Sequence, residues 1–258
     1  GVPLVINIPI GAEDAFLGVV DLVRMESLTF SEDDLGSTVM REPIPDELVS
    51  EADMKREELI ATLADHNDTI AEKYLSGEEI GVRELDAAIR ELVVSNAIVP
   101  VLCGSAFKNK GIQPLLDAII NYLPSPVDRG EVEGFDFKNS DKKIVRKPAE
   151  DDAFSALAFK MSADTFVGTL TYVRIYSGEL KVGQPIYNSS SKNKERVGKI
   201  LQMHADRRTE LRSAKAGDII AVSGLKETKT GETLCIEQRK IIFDLMQLPD
   251  AVISTAIE

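Results

Sequence analysis

The sequence predicts an α+β chain of more than one domain, in which a mixed, helix-rich half is followed by an antiparallel β-barrel. Three observations carry this. Between residues 82 and 123, apolar side chains recur at three- and four-residue steps, the period of amphipathic helices. From Phe154 onward the pattern changes to short strand-like words with turn residues between them: "FSALAFKM", "GTLTYVRIYSG", "QPIYNSS", "ERVGKILQMHA", "AGDIIAVSGL" and "GETLCIE". The charge divides with the pattern: residues 1–123 hold nine Lys and Arg against 23 Asp and Glu, net −14, whereas residues 151–244 hold 15 against 12, net +3. At 258 residues, 43% of them hydrophobic, the chain can fill two or three cores.

In chain order, "GVPLVINIPIG" reads as a strand closed by Gly11, and "FLGVVDLVRMESLTF" as a second and third. Residues 31–44 are polar and read as irregular. Pro45-Asp46-Glu47 starts a helical region that runs to about Tyr74, its acids placed where the helix dipole favours them. A second start at Gly81-Val82-Arg83-Glu84 opens a helix whose Val82, Leu85, Ile89, Leu92 and Val93 share one face. The apolar run Ile98-Val99-Pro100-Val101-Leu102 is a strand leading into "CGSAFKNKG", residues 103–111. Ile112, Leu115, Leu116, Ile119, Ile120 and Leu123 then mark a strongly amphipathic helix, which Pro124 and Pro126 end.

Residues 124–150 mix Pro, Gly and charge without periodicity and read as an interdomain linker. The regular strand-and-turn spacing after them carries no helical stripe. It predicts a closed antiparallel barrel, since closure removes exposed edges, with Gly178, Gly183 and Gly217 at turns. The last residues, "LPDAVISTAIE", read as the first strand of a further domain.

No apolar run approaches the roughly 20 residues that cross a bilayer, and the N-terminus lacks a basic-then-apolar pattern, so no membrane role is expected. Two cysteines, Cys103 and Cys235, and two histidines, with no Cys-x-x-Cys, suggest neither disulfides nor a zinc site. A reducing cytoplasm and buried, inert thiols are expected.

The order strand, "GSAFKNKG", helix, "YLPSPVD", linker, then "FSALAFK", "FVGTLTYVRIYSGELKVGQ", "RVGKILQMHA", "AGDIIAVSGL", "TGETLC" and "LPDAVIS" resembles bacterial translation elongation factor G, a translational GTPase family. The resemblance covers nearly the whole chain and is weakest over residues 31–70. It implies that residues 1–95 are the insertion inside that family's GTPase domain and 96–123 the end of the GTPase domain. Residues 124–150 are then a linker, 151–245 the second domain, a β-barrel, and 246–258 the start of the next domain.

Most nucleotide motifs of such a GTPase do not occur in this sequence. A phosphate loop needs Gly-x-x-x-x-Gly-Lys-Ser/Thr, so that backbone N–H groups and a Lys cradle the phosphates while the hydroxyl holds magnesium. Gly198-Lys199 is followed by Ile200 and lacks the upstream glycine. Asp33-Asp34-Leu35-Gly36 spells Asp-x-x-Gly but precedes no switch helix, and Asn109-Lys110-Gly111-Ile112 lacks the aspartate that reads guanine. GTP or GDP with magnesium is therefore expected only in a longer parent protein. This chain is expected to bind no nucleotide and to contribute no catalytic or metal-ligating residue.

What the resemblance assigns is a loop and two surfaces. Ser105, Ala106 and Phe107 form the guanine-base loop: the Ala106 N–H donates to the guanine oxygen, Ser105 braces the base-reading aspartate upstream, and Phe107 and Lys108 pack beside the base. Asp65, Asp68 and Glu72, three and four residues apart, share one helix face, and by resemblance that face receives the basic domain of the ribosomal stalk protein. Lys192, Lys194, Arg196, Arg207, Arg208 and Arg212 would contact small-subunit rRNA phosphates, positioning without reading sequence. The implied function is ribosome-dependent GTP hydrolysis that promotes tRNA–mRNA translocation, by a cytoplasmic monomer. A ribosomal protection protein or a recycling paralogue shares the barrel, and an RNA-binding adaptor without nucleotide chemistry is the reading from another class.

Overall fold

The computed structural model describes residues 1–164, 168–205 and 207–243. The chain divides into two units, Gly1–Pro124 and Ser125–Glu258. The expected further strand at 246–258 lies outside the described residues.

In the first unit, β1 (Val2–Val5) is followed by an antiparallel sheet of β2 (Asn7–Ile10), β3 (Gly18–Asp21), β4 (Glu26–Phe30) and β5 (Val39–Glu42), in that order. β5 falls in the stretch expected to be irregular. A Cβ on Gly18 would lie 2.1 Å from the Leu28 carbonyl oxygen, so the close pairing of β3 with β4 requires glycine there. The sheet is buried on both faces: Ile8, Ile10 and Val20 enter the main core, while Val19, Leu28 and Phe30 form a smaller cluster with Phe16.

Next come α1 (Asp46–Ala64), α2 (Asp68–Ser76) and α3 (Val82–Val94). The helical region expected to run to Tyr74 is broken at residues 65–67. There the Asn67 side chain accepts a hydrogen bond from the Ile70 N–H at 3.0 Å and starts a new helix, because a short amide competes well for the free donors of a first turn. α3 buries Leu85, Ile89, Leu92 and Val93 as expected, with Val82 more exposed at its first turn.

β6 (Ile98–Val101) pairs in parallel with β1, Val2 opposite Ile98. α4 (Ile112–Tyr122) forms where its periodicity predicts, but its buried side chains are Ala118 and Tyr122. Leu115, Leu116, Ile119, Ile120 and Leu123 are exposed, as are Val2, Val5, Val99 and Val101 on the strand pair. The apolar stripe that predicts the helix is therefore not the face the described residues cover.

The second unit begins inside the expected linker, which is folded. α5 (Pro126–Arg129) is capped by Ser125, and β7 (Val132–Asp136) and β8 (Lys143–Arg146) form a hairpin. Val132, Phe137 and Ile144 pack against Tyr187, Cys235 and Phe243. The alternation that makes these strands is spread among charged residues and is invisible to a search for apolar runs.

There follow β9 (Ser155–Asp164), β10 (Gly168–Ser177), β11 (Glu179–Lys181), β12 (Pro185–Asn188), β13 (Asn193–Arg196), β14 (Ile200–His204), β15 (Arg207–Leu211), β16 (Ser213–Lys215), β17 (Ile219–Ser223), β18 (Thr233–Cys235) and β19 (Ile241–Ile242). Eight of them make one antiparallel sheet in the order β13-β12-β18-β9-β10-β17-β14-β15; β11 pairs with β16, and β19 pairs with β7. The predicted antiparallel architecture holds, with one correction. Among the described residues the outer strands β13 and β15 do not pair, so hydrogen bonding does not close the barrel. Side chains from both ends of the strand order, Ile186 and Val197 with Ile200 and Val222, nevertheless meet in one core.

Candidate functional site

Residues 103–111 form a tight loop between β6 and α4, built from inside outward. Buried Asn7 fixes its entry: the Cys103 N–H donates to Asn7 Oδ1 at 2.7 Å, and Asn7 Nδ2 to the Cys103 carbonyl at 3.4 Å. Ser105 and Lys110 close the loop through two backbone hydrogen bonds, 2.8 and 3.0 Å. Inside it, the Asn109 N–H donates to the Ala106 carbonyl at 3.2 Å and the Lys108 N–H to Ser105 Oγ at 3.3 Å. Asn109 has φ +52°, a left-handed conformation that Asn tolerates better than most residues.

The loop's polar side chains are spent on the neighbouring segments 13–16 and 31–37. Lys108 Nζ donates to the Glu13 and Asp14 carbonyls at 3.0 and 2.9 Å. Asn109 Nδ2 donates to the Leu35 carbonyl at 2.7 Å. Lys110, only 5% exposed, donates to the Phe16 carbonyl at 3.3 Å and to Glu32 Oε1 at 2.9 Å. The Lys110 hydrogen bond, then its charge, hold the exposed Glu32 carboxyl below its usual range. Gln113 Nε2 donates to the Gly36 carbonyl at 2.7 Å. Gly36 sits at φ +78°, and a Cβ there would lie 2.4 Å from the Asn109 carbonyl oxygen.

These bonds leave the tip outward. Ala106 is exposed, its N–H donates to no partner among the described residues, and Phe107 is 100% exposed. Ser105 is half-buried. Sequence reasoning found the tip but missed the clasp of Asn109, Lys110, Gln113 and Gly36, because its partners lie more than 70 positions away. The word Asp33 to Gly36 serves as turn chemistry: Asp34 accepts from the Ser37 and Thr38 N–H groups at 3.1 and 3.0 Å and from the Thr38 hydroxyl.

The three acids do not share a single helix. Asp65 ends α1, whereas Asp68 and Glu72 stand four residues apart on α2. All three are exposed. The six barrel cations are also exposed but fall in two groups at opposite ends of the strand order. Lys192, Lys194 and Arg196 lie at the β12–β13 hairpin, where Lys194 pairs with Glu237 at 2.8 Å and Arg196 Nε donates to the Gly183 carbonyl at 2.8 Å. Arg207 and Arg208 lie on β15, Arg208 pairing with Asp164 at 2.7 Å, and Arg212 follows that strand. Cys235 is buried, while Cys103 is half-buried with its thiol pushed upward by burial. Among the described residues no group of three or more His, Cys, Asp or Glu is placed to hold a metal ion, and no helix is long and apolar enough to cross a membrane.

Residues 153–237, from the start of β9 through β18, match the family model of elongation factor G domain 2. The chain is also similar in structure to a crystallised protein from Thermus thermophilus, with a TM-score of 0.72 at 23% identity, over 92% of this chain and 32% of that one. It thus spans about a third of the length of the structure it matches. The eight-stranded antiparallel sheet is thus the part of the chain that resembles elongation factor G domain 2, and with the mixed α+β unit before it the chain shares its fold with the Thermus protein.

Proposed function

We propose that this chain is part of a ribosome-dependent GTPase that promotes tRNA–mRNA translocation in the cytoplasm, and that it supplies the parent's guanine-base loop. The observation that carries the reading is the presentation of the loop tip. Every polar side chain from Lys108 to Lys110 is tied back to the fold, while Ala106 and Phe107 face outward. A backbone donor held in place before its ligand arrives loses little freedom on binding. Its hydrogen bond separates guanine, which has an acceptor at that position, from adenine, which has none. The exposed apolar face of α4 and of the β1–β6 pair supports the same reading, since parallel strands are normally covered on both faces.

GTP or GDP and magnesium would be held by a phosphate loop elsewhere in the parent. Asp65, Asp68 and Glu72, now at the corner between two helices, would meet the basic stalk protein, and the two cationic groups of the barrel would meet rRNA phosphates. The parent acts as a monomer. In the test, fluorescent GDP titrated into this chain shows no saturable binding. The full-length parent binds GDP, and ribosomes stimulate both its GTP hydrolysis and the movement of mRNA. A parent whose hydrolysis ignores ribosomes, or saturable GDP binding by this chain alone, contradicts the reading.

A further inference from the structure

Residues 32–36 accept hydrogen bonds, one for one, from the foot of the base loop. Glu32 accepts from Lys110 Nζ at 2.9 Å, and the Leu35 and Gly36 carbonyls accept from Asn109 Nδ2 and Gln113 Nε2, each at 2.7 Å. These acceptors stand on the turn between β4 and β5, which keeps its own shape. The Gly36 N–H donates to the Ser31 carbonyl at 2.8 Å and the Ser31 N–H to the Thr38 carbonyl at 3.1 Å. A turn braced in this way moves as one body with its hairpin.

Lys110 is where the turn meets the loop. Its backbone N–H and carbonyl make the two bonds that close the loop on Ser105, while its side chain, 6% exposed, reaches Glu32 in its one ion pair among the described residues. The other half of that pair lies at the surface. The Glu32 side chain is 81% exposed and Leu35 is 80% exposed, so the turn can be withdrawn without opening a core. Lys110 cannot keep its place when Glu32 leaves, because a buried ammonium without its carboxylate is costly. It must follow the turn or swing out to water, and either shift strains the closure at Ser105.

We propose that the β4–β5 turn is a latch on the base loop: seated, it holds the Ala106 N–H in place and prolongs the stay of guanine nucleotide on the parent; withdrawn, it speeds release. The latch rests on the base-loop reading above. Glu32 on the turn and Gln113 on α4 are its positioning residues, since they act on the nucleotide only through the loop. Loosening a preformed donor adds an ordering cost to the bound state and is felt mainly in the dissociation rate.

The test follows fluorescent GDP on the full-length parent. Glu32→Lys, which repels Lys110, and Gln113→Leu, which drops the bonds to the turn, should each speed release about two- to tenfold, the size of one hydrogen bond, with association little changed. Both should also lower the preference for GDP over the 2-aminopurine ribonucleoside diphosphate, which lacks the 6-oxygen; a general loss of stability would leave that ratio alone. Asp53→Lys, an equal change of charge at an exposed position of α1, should alter neither. In this chain by itself, both latch variants should speed hydrogen exchange at the Lys110 amide and leave the Ile89 amide of α3 protected. A parent that binds GDP but keeps its release rate and preference in both variants overturns the latch and leaves the base-loop reading standing. So does a Lys110 amide unmoved by either variant, or equal acceleration by Asp53→Lys. A parent that binds no GDP overturns the base-loop reading and the latch with it.

Discussion

The two units bury comparable cores but treat their surfaces differently. Among the described residues of the second, the exposed large apolar side chains, Val127, Val145, Met161, Val182 and Ile219, are scattered over separate elements. In the first, four of them share α4 and Leu123 follows it, with Ile120 73% and Leu116 52% exposed, and four more line the β1–β6 pair. Scattered apolar residues are ordinary on a protein surface, whereas a contiguous set marks a face built to be covered. The lesson is that the second unit's sequence pattern describes a finished core. That of the first describes a core plus a contact surface.

The largest expected effects test whether the cores really are alike. Ile89→Ala in the first unit and Ile175→Ala in the second remove fully buried side chains, and each should cost about 2–5 kcal/mol, read by hydrogen exchange within its own unit. A first-unit cost well below the second's would break the comparison. Next is the clasp. Gly36→Ala combines a positive φ with a 2.4 Å approach to the Asn109 carbonyl oxygen, whereas Gly77→Ala, at φ +70°, meets nothing within 4 Å. Gly36→Ala should cost about 1–3 kcal/mol and expose the Lys110 amide to exchange; Gly77→Ala should cost about 1 kcal/mol or less and leave that amide protected.

A smaller effect sharpens the surface contrast. Ile120→Glu should change stability by no more than about 0.5 kcal/mol while reducing self-association in light scattering, and a clear loss of stability would show that the α4 face is already covered. The smallest effect is in pH. Glu32 is depressed below its ordinary 4.5 in the folded chain, so its contribution is complete above that value and is lost as pH falls through the depressed one. Protection of the Lys110 amide should be steady at neutral pH and decline in acid, and Glu32→Gln should remove that dependence.

How much the sequence discloses follows the same division. α3, α4 and most second-unit strands are legible because local period and turn residues define them: Leu85, Ile89 and Leu92 at helical steps, Leu170, Tyr172 and Arg174 alternating on β10. β7 and β8 are hidden because each holds only two large apolar residues, Val132 and Phe135, and Ile144 and Val145, beside charged ones, and the strand partner of β7 is distant, Ile241 opposite Asp136. The helix break at Asn67 turns on a single capping amide. At the candidate site, "GSAFKNKG" is readable as a loop between strand and helix, but its rigidity depends on Glu32, Leu35 and Gly36. No local pattern ties those residues to it.

The most direct measurement of the base-loop claim is base discrimination by the full-length parent, comparing GDP with the 2-aminopurine ribonucleoside diphosphate that lacks the 6-oxygen. The parent should prefer GDP; Ala106→Gly, which keeps the N–H, should preserve the preference; and Ala106→Pro, which removes it, should erase about one to two orders of magnitude while the Lys110 amide stays protected. Undiminished preference in Ala106→Pro with that protection intact would contradict the account.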